Sequence, residues 1–270
     1  MLKIGNQSEV GGVYRHVKIP RRLLFVASGV MLMFALGSST SAQDPAELFH
    51  KMQNALGGAE AIAAIRDYEE LVRAVTWNNE GKLNGEVRKR TRWIRPNYLR
   101  LDQMGPDDTY VLYFDGTSGW EILPDKTFAN LAGGELKFAQ RYLRDFKLNV
   151  WLADRDPRYL ITSPAPNVVR LTDREDATQW LEIMLDKVSL RPVKQTSISL
   201  ADPSHPVSRE TRFAEWETVQ GIQLPRRIIV FEGDARVAEI AVEQVKLDSG
   251  LKPAHLATKP SDLMPVLSER

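Results

Sequence analysis

The side chains able to do chemistry are scattered. Of the four histidines, His16 lies in the N-terminal leader, His50 lies off the apolar face of a helix, and His205 and His255 sit beside prolines; no two have the spacing of metal ligands. The stretch Gly116-Thr117-Ser118-Gly119 resembles a nucleophile elbow only superficially. That motif is G-x-S-x-G between a strand and a helix, whereas Ser118 falls between two strand patterns. The carboxylate groups Asp107-Asp108, Asp154 with Asp156, and Asp173 with Glu175 and Asp176 all fall in turns, where such residues are favoured for backbone reasons. With no cysteine and no Gly-rich phosphate loop, the sequence offers no thiol or phosphate chemistry. The expectation is a non-enzymatic protein that uses no cofactor and no metal. One arginine, Arg95, stands out instead: it ends a strand of alternating charge and is followed at once by Pro96.

The elements that would position Arg95 begin after a leader. Arg15, Lys18, Arg21 and Arg22 precede the apolar run Leu23 to Leu36 and the small-residue stretch ending at Ala42. That is the order of a secretory signal, and the run is shorter than the ~20 residues that span a bilayer. Cleavage is expected between Ala42 and Gln43, giving an exported, soluble periplasmic chain. General secretion is the first expectation, with twin-arginine export the alternative offered by Arg21-Arg22. Without residues 1–42 the chain keeps 31 Lys/Arg against 34 Asp/Glu, so no basic footprint remains for nucleic acid. The absence of cysteine excludes disulfides and a lipidated cysteine. Residues 43–252 are expected to form a single domain and residues 253–270 a loosely held tail.

Asp44-Pro45-Ala46-Glu47 starts a helix with a cap, a proline in the first turn and an acid three residues on. Its apolar face (Leu48, Met52, Ala55, Leu56) is interrupted by Gly57-Gly58 before Ala61, Ile62 and Ile65 resume the period. A second helix is predicted over residues 135–150, with Leu136, Ala139, Leu143, Phe146 and Val150 on one face. The rest reads as strands in hairpin order. In residues 83–95, Glu86, Arg88, Arg90 and Arg92 alternate with Val87, Thr91 and Trp93, so one face is wet and the other dry. In residues 110–114 both faces are apolar, so that strand is covered twice. The fold class is therefore mainly β with two helices: a strongly curved antiparallel sheet, an incomplete barrel whose concave side the helices plug.

Trp93-Ile94-Arg95-Pro96-Asn97-Tyr98, followed by the hairpin from Val111 through Asp115-Gly116 to Trp120, resembles the signature of the periplasmic lipoprotein-carrier (LolA-like) family. The resemblance implies an apolar cavity for acyl chains, closed by helices as a lid, and gives Arg95 the role of a latch that bonds backbone groups of the lid. Pro96 biases Arg95 toward an extended backbone, and guanidinium offers five donors in a fixed fork. The plainer alternative is a surface arginine at a strand end. The cavity lining is expected to include Trp93, Leu101, Leu112, Phe114, Trp120, Leu181, Ile183, Phe213, Ile229 and Phe231. The implied partners are lipid or lipoprotein acyl chains, with an inner-membrane donor and an outer-membrane acceptor. An envelope interaction or stress-sensing module that grips a protein partner is the alternative function on the same fold.

Overall fold

The computed structural model describes residues 44–259 apart from 79, 105–108 and 200–206. The leader and its cleavage point, the Asp107-Asp108 pair, His205 and residues 260–270 lie outside the described residues. Two short helices come first, α1 (Pro45–Ala55) and α2 (Ala59–Ala64). Asp44 caps α1 through its carboxylate, which accepts from Ala46 N at 3.0 Å. The turn between them requires glycine: Gly57 has φ 120°, and a Cβ there would lie 2.5 Å from Gly221 O.

Six strands follow, β1 (Asp67–Trp77), β2 (Leu83–Ile94), β3 (Tyr98–Met104), β4 (Tyr110–Phe114), β5 (Gly119–Ile122) and β6 (Phe128–Asn130). Next come α3 (Gly133–Arg144), α4 (Lys147–Val150) and a single 3-10 turn at Ala153–Arg155. The chain returns through β7 (Tyr159–Ala165), β8 (Val168–Asp173), β9 (Trp180–Leu185), β10 (Pro192–Ser199), β11 (Val207–Val219), β12 (Ile222–Glu232) and β13 (Ala235–Leu247), and ends in α5 (Pro253–Ala257). All thirteen strands form one antiparallel sheet in the order β6-β5-β4-β3-β2-β1-β13-β12-β11-β10-β9-β8-β7. The first six strands therefore run outward to one edge and the last seven run back from the other, meeting where β1 pairs β13. The sheet is curved and not closed, so α3 and α4 carry the chain from one edge strand to the other.

The main core lies on the concave face. Leu48, Phe49, Met52 and Leu56 of α1, Ile62 of α2, Ala139 and Leu143 of α3 and Leu148 of α4 pack with Tyr68, Trp93, Leu99, Leu112, Val169, Ile183 and Leu224 from the sheet. The wet face of β2 is built as its alternation predicts. Arg88 Nη2 reaches Glu243 at 3.0 Å, Arg90 Nη2 reaches Glu69 at 2.8 Å and Arg92 Nη2 reaches Asp102 at 2.6 Å.

Two expectations need correction. The predicted helix over 135–150 is two helices, because Phe146 adopts an extended backbone (φ −63°, ψ 131°) between them. Asn149 Nδ2 donates to Leu143 O across this joint at 2.7 Å. The tail, expected to be loose from residue 253, is docked as far as Lys259. Leu256 is fully buried on the outer face, in a second core with Val111, Tyr113, Trp120 and Ile122. Arg100 Nη1 donates to Leu256 O at 2.8 Å and to Thr258 O, while its Nε donates to Asp102 at 2.9 Å. The entry of this tail is fixed by Asp67, whose carboxylate accepts from Ser249 N (2.8 Å), Ser249 Oγ (2.9 Å), Gly250 N (2.9 Å) and Leu251 N (3.2 Å). Among the described residues no helix is long and apolar enough to cross a membrane.

Candidate functional site

Arg95 follows directly on β2 and turns its side chain under the end of α2. Its Nε donates to Ile65 O at 3.0 Å and its Nη2 to Ile62 O at 3.2 Å. Ile62 O lies in the last turn of α2, where it also accepts from Ile65 N at 3.4 Å, and Ile65 is the residue that caps the helix. The main-chain N–H of Arg95 donates to Arg66 O at 2.8 Å. The guanidinium carbon lies 4.9 Å from the centroid of the Trp93 ring. Burial lowers the Arg95 pKa, and the positive charge of Arg155 lowers it further. Arg155 is itself paired with Glu60 of α2. Arg95 is therefore a half-buried cation tying a sheet strand to a helix end, not a side chain in water. Pro96 is the middle residue of the short turn, 95–97, that leads into β3.

Sequence reasoning missed four other side chains that tie the helices in place. Lys147 Nζ of α4 meets Glu70 Oε1 on the concave side of β1 at 2.8 Å and lies 4.8 Å from the Tyr68 ring centroid. Gln53 Nε2 of α1 donates to Trp151 O at 2.9 Å and to Asp154 Oδ1 at 2.8 Å. Arg141 Nη2 of α3 donates to Ile198 O of β10 at 2.8 Å, and Arg144 Nη1 donates to Gln179 Oε1 at 2.7 Å. One signal was available: in Tyr68-Glu69-Glu70-Leu71-Val72 the alternation puts Glu70 on the dry face with Tyr68 and Val72, and a carboxylate there needs a cation. Nothing in the sequence names Lys147 as that cation.

The expected cavity residues divide between the two faces. Trp93, Leu112, Phe114, Leu181 and Ile183 lie in the main core, with Leu101 packed against it. Phe213 joins the concave face through its cross-strand partner Ile228, and its ring is 6.3 Å from that of Trp216. The remaining three are corrections. Trp120 points outward, 5.6 Å from Tyr113 ring to ring, and is covered by α5. Ile229 stands opposite Arg212 and Glu239, and the Arg212 guanidinium lies 4.4 Å from the Phe231 ring, so both belong to the charged outer face. The run Ile228-Ile229-Val230-Phe231 is apolar on both faces, and alternation cannot orient such a strand.

Trp93 and Leu112 have no exposed surface and Phe114 and Ile183 only 1%. Even a water finds almost no space beside them. Phe146, at the joint of α3 and α4, fills the position over the floor, 5.4 Å from the Tyr68 ring and 5.2 Å from the Trp93 ring. Ser118 has the plain turn role expected of it: its N and Oγ both donate to Asp115, at 2.7 and 3.1 Å. Asp156, Asp173 and Asp176 likewise serve local bonds, to Arg158, Glu175 N and Thr178 N, while Asp154 accepts from Gln53 of α1.

An incomplete antiparallel barrel with its helices packed on the concave face has counterparts among solved structures. An outer membrane lipoprotein-sorting protein domain from Vibrio parahaemolyticus, described there as putative, superposes with a TM-score of 0.54 at 11% identity, covering 79% of this chain and 97% of that one. A LolA superfamily protein from Nitrosomonas europaea gives 0.53 at 15% identity, covering 80% and 97%. This chain has a LolA-like fold. A DUF1329 family protein from Desulfovibrio piger shares it, with a TM-score of 0.55 at 15% identity over 82% of this chain and all of that one. No protein-family profile matches the sequence, and no curated protein does. The likeness is thus one of LolA-like architecture.

Proposed function

We propose that this protein is a non-enzymatic periplasmic carrier of acyl chains, borne by a lipid or a lipoprotein, on the concave face of the half-barrel beneath a helical lid. The observation that supports this most is Arg95, which bonds the carbonyls of Ile62 and Ile65 and so fastens α2 across an apolar floor. Under this reading Arg95 is the latch and Pro96 sets the strand end from which it reaches. Trp93, Leu101, Leu112, Phe114, Leu181, Ile183 and Phe213 become ligand contacts once the helices lift.

Thermodynamics favours such a lid. Burying one acyl chain of about fifteen methylenes is worth on the order of 12 kcal/mol at ~0.8 kcal/mol per CH₂. A site standing open would hold its cargo almost irreversibly. Closing the helices on the emptied floor restores their own apolar contacts and offsets part of that gain, which makes release possible.

Mass spectrometry of lipid co-purified after mild isolation, combined with displacement of an apolar fluorescent probe by long-chain lipid, tests the carrier reading. Bound lipid and displacement near 1:1 are expected. A second reading rests on the complete burial of Trp93 and Leu112: a core that stays filled, with the sheet surface gripping a protein partner. Absence of both lipid and displacement would favour it.

A further inference from the structure

Among the described residues, three buried side-chain atoms have no hydrogen-bond partner: Tyr68 Oη, Trp93 Nε1 and Arg92 Nε. Arg92 belongs to the outer charged face, where its Nη2 is bonded to Asp102. The other two sit together on the concave floor. Tyr68 of β1 and Trp93 of β2 are direct cross-strand partners, both wholly buried. The ring of Phe146 covers both, edge-on to Tyr68 and tilted against Trp93. A benzene ring accepts no conventional hydrogen bond, so neither donor is answered under Phe146. Such groups are costly to bury, and native structures contain few of them.

Phe146 is the extended joint between α3 and α4, and α4 is a single turn that meets the floor through the buried Leu148 and Val150 and through the ion pair of Lys147 with Glu70. Lifting α4 removes Phe146 and Lys147 together. The floor then presents two neutral donors, Tyr68 Oη and Trp93 Nε1, with the Glu70 carboxylate beside the phenol.

We propose that Tyr68 Oη and Trp93 Nε1 form a polar anchor in the floor of the concave face, capped by Phe146 when the protein is closed and taking the carbonyl oxygen of an acyl ester or amide when it is open. The inference rests on the carrier reading and specifies its ligand. Trp93 Nε1 has no acceptor, and Tyr68 Oη has only the Glu70 carboxylate near it without a formed hydrogen bond, so a ligand oxygen would answer the pair. Glu70, which loses its cation as Lys147 departs, repels a free carboxylate. The matching group is therefore a neutral acyl carbonyl, with the chain lying along the apolar lining.

The experiment measures displacement of an apolar fluorescent probe from the full exported chain by three ligands: a long-chain fatty acid methyl ester, the n-alkane of equal heavy-atom count, and the corresponding carboxylate. The wild type is expected to prefer the ester to the alkane by about tenfold, the factor one hydrogen bond of ordinary strength supplies. Tyr68→Phe is expected to bring that ratio close to one. Trp93→Phe should reduce it as well. A ratio that Tyr68→Phe leaves unchanged, or a carboxylate that outbinds the ester, overturns the anchor while the carrier reading stands. Displacement by none of the three overturns both. The apo-protein gives a check that needs no ligand: Tyr68→Phe should unfold at the same temperature as wild type or higher, because the hydroxyl has no partner in the closed form. A clear fall would show that it has one and would overturn the anchor.

Discussion

Replacing Arg95 by leucine keeps the stem and the main-chain bond to Arg66 O but removes the two side-chain bonds to α2. Hydrogen bonds from a charged donor contribute roughly 1.5–3 kcal/mol each. One of these is long at 3.2 Å and the guanidinium is only half-buried, so the loss is set at about 2–4 kcal/mol for the pair. At 1.4 kcal/mol per tenfold, the low end raises the ratio of open to closed forms by about 30-fold. Because apparent affinity scales with the fraction of competent protein, binding of an apolar probe should tighten, or hold steady if the lid is already mostly open, and release to an acceptor membrane should slow. Titration with the probe and stopped-flow release, read alongside hydrogen exchange of residues 59–66, would follow these changes. Arg95→Lys, which offers a single point of contact, should fall between wild type and leucine. Unchanged affinity, release and exchange together would refute the latch. Weaker binding would instead make Arg95 a contact of the cargo.

Three further outcomes follow from the geometry. Trp120→Ala should lower stability in urea by about 3 kcal/mol, the usual scale for a buried aromatic, yet leave probe binding by the folded fraction intact, since Trp120 packs under α5 on the outer face. Asp67→Ala leaves four donors of residues 249–251 without their acceptor and should cost about 2–4 kcal/mol, with faster hydrogen exchange over residues 249–259 as the local sign. Burial raises the pKa of Tyr68 well above the ordinary 10.0 and that of Tyr142 to about 12. Above pH 10 the unfolded chain therefore sheds phenol protons that the folded chain retains, so stability is complete below pH 10 and falls as pH rises through 12. Thermal midpoints measured from pH 8 upward should decline steeply past pH 10, and less steeply in Tyr68→Phe.

Local chemistry decided most of the element order. Asp44 and Pro45 start α1, Gly57-Gly58 stops it, and the charge alternation of β2 separates wet face from dry, because caps, left-handed turns and period-two patterns act over a few residues. The same local pattern left Tyr110–Phe114 apolar on both sides, and that foretold a second cover without saying what it is. Only the tertiary structure supplied α5, since Leu256 becomes worth burying once Arg100, more than a hundred and fifty residues away, meets its carbonyl. Phe231 and Ile229 went to the outer face for a similar reason: residues 228–231 of β12 are apolar on both faces, and the register with Arg212 and Glu239 chose between them. Arg95 could be singled out in the sequence by its place before Pro96, but its acceptors are main-chain carbonyls of Ile62 and Ile65, which carry no side-chain signature. The union of Tyr68, Trp93 and Phe146 lay beyond sequence reading altogether, because cross-strand register and the break between α3 and α4 are set by how the whole sheet curves around the helices.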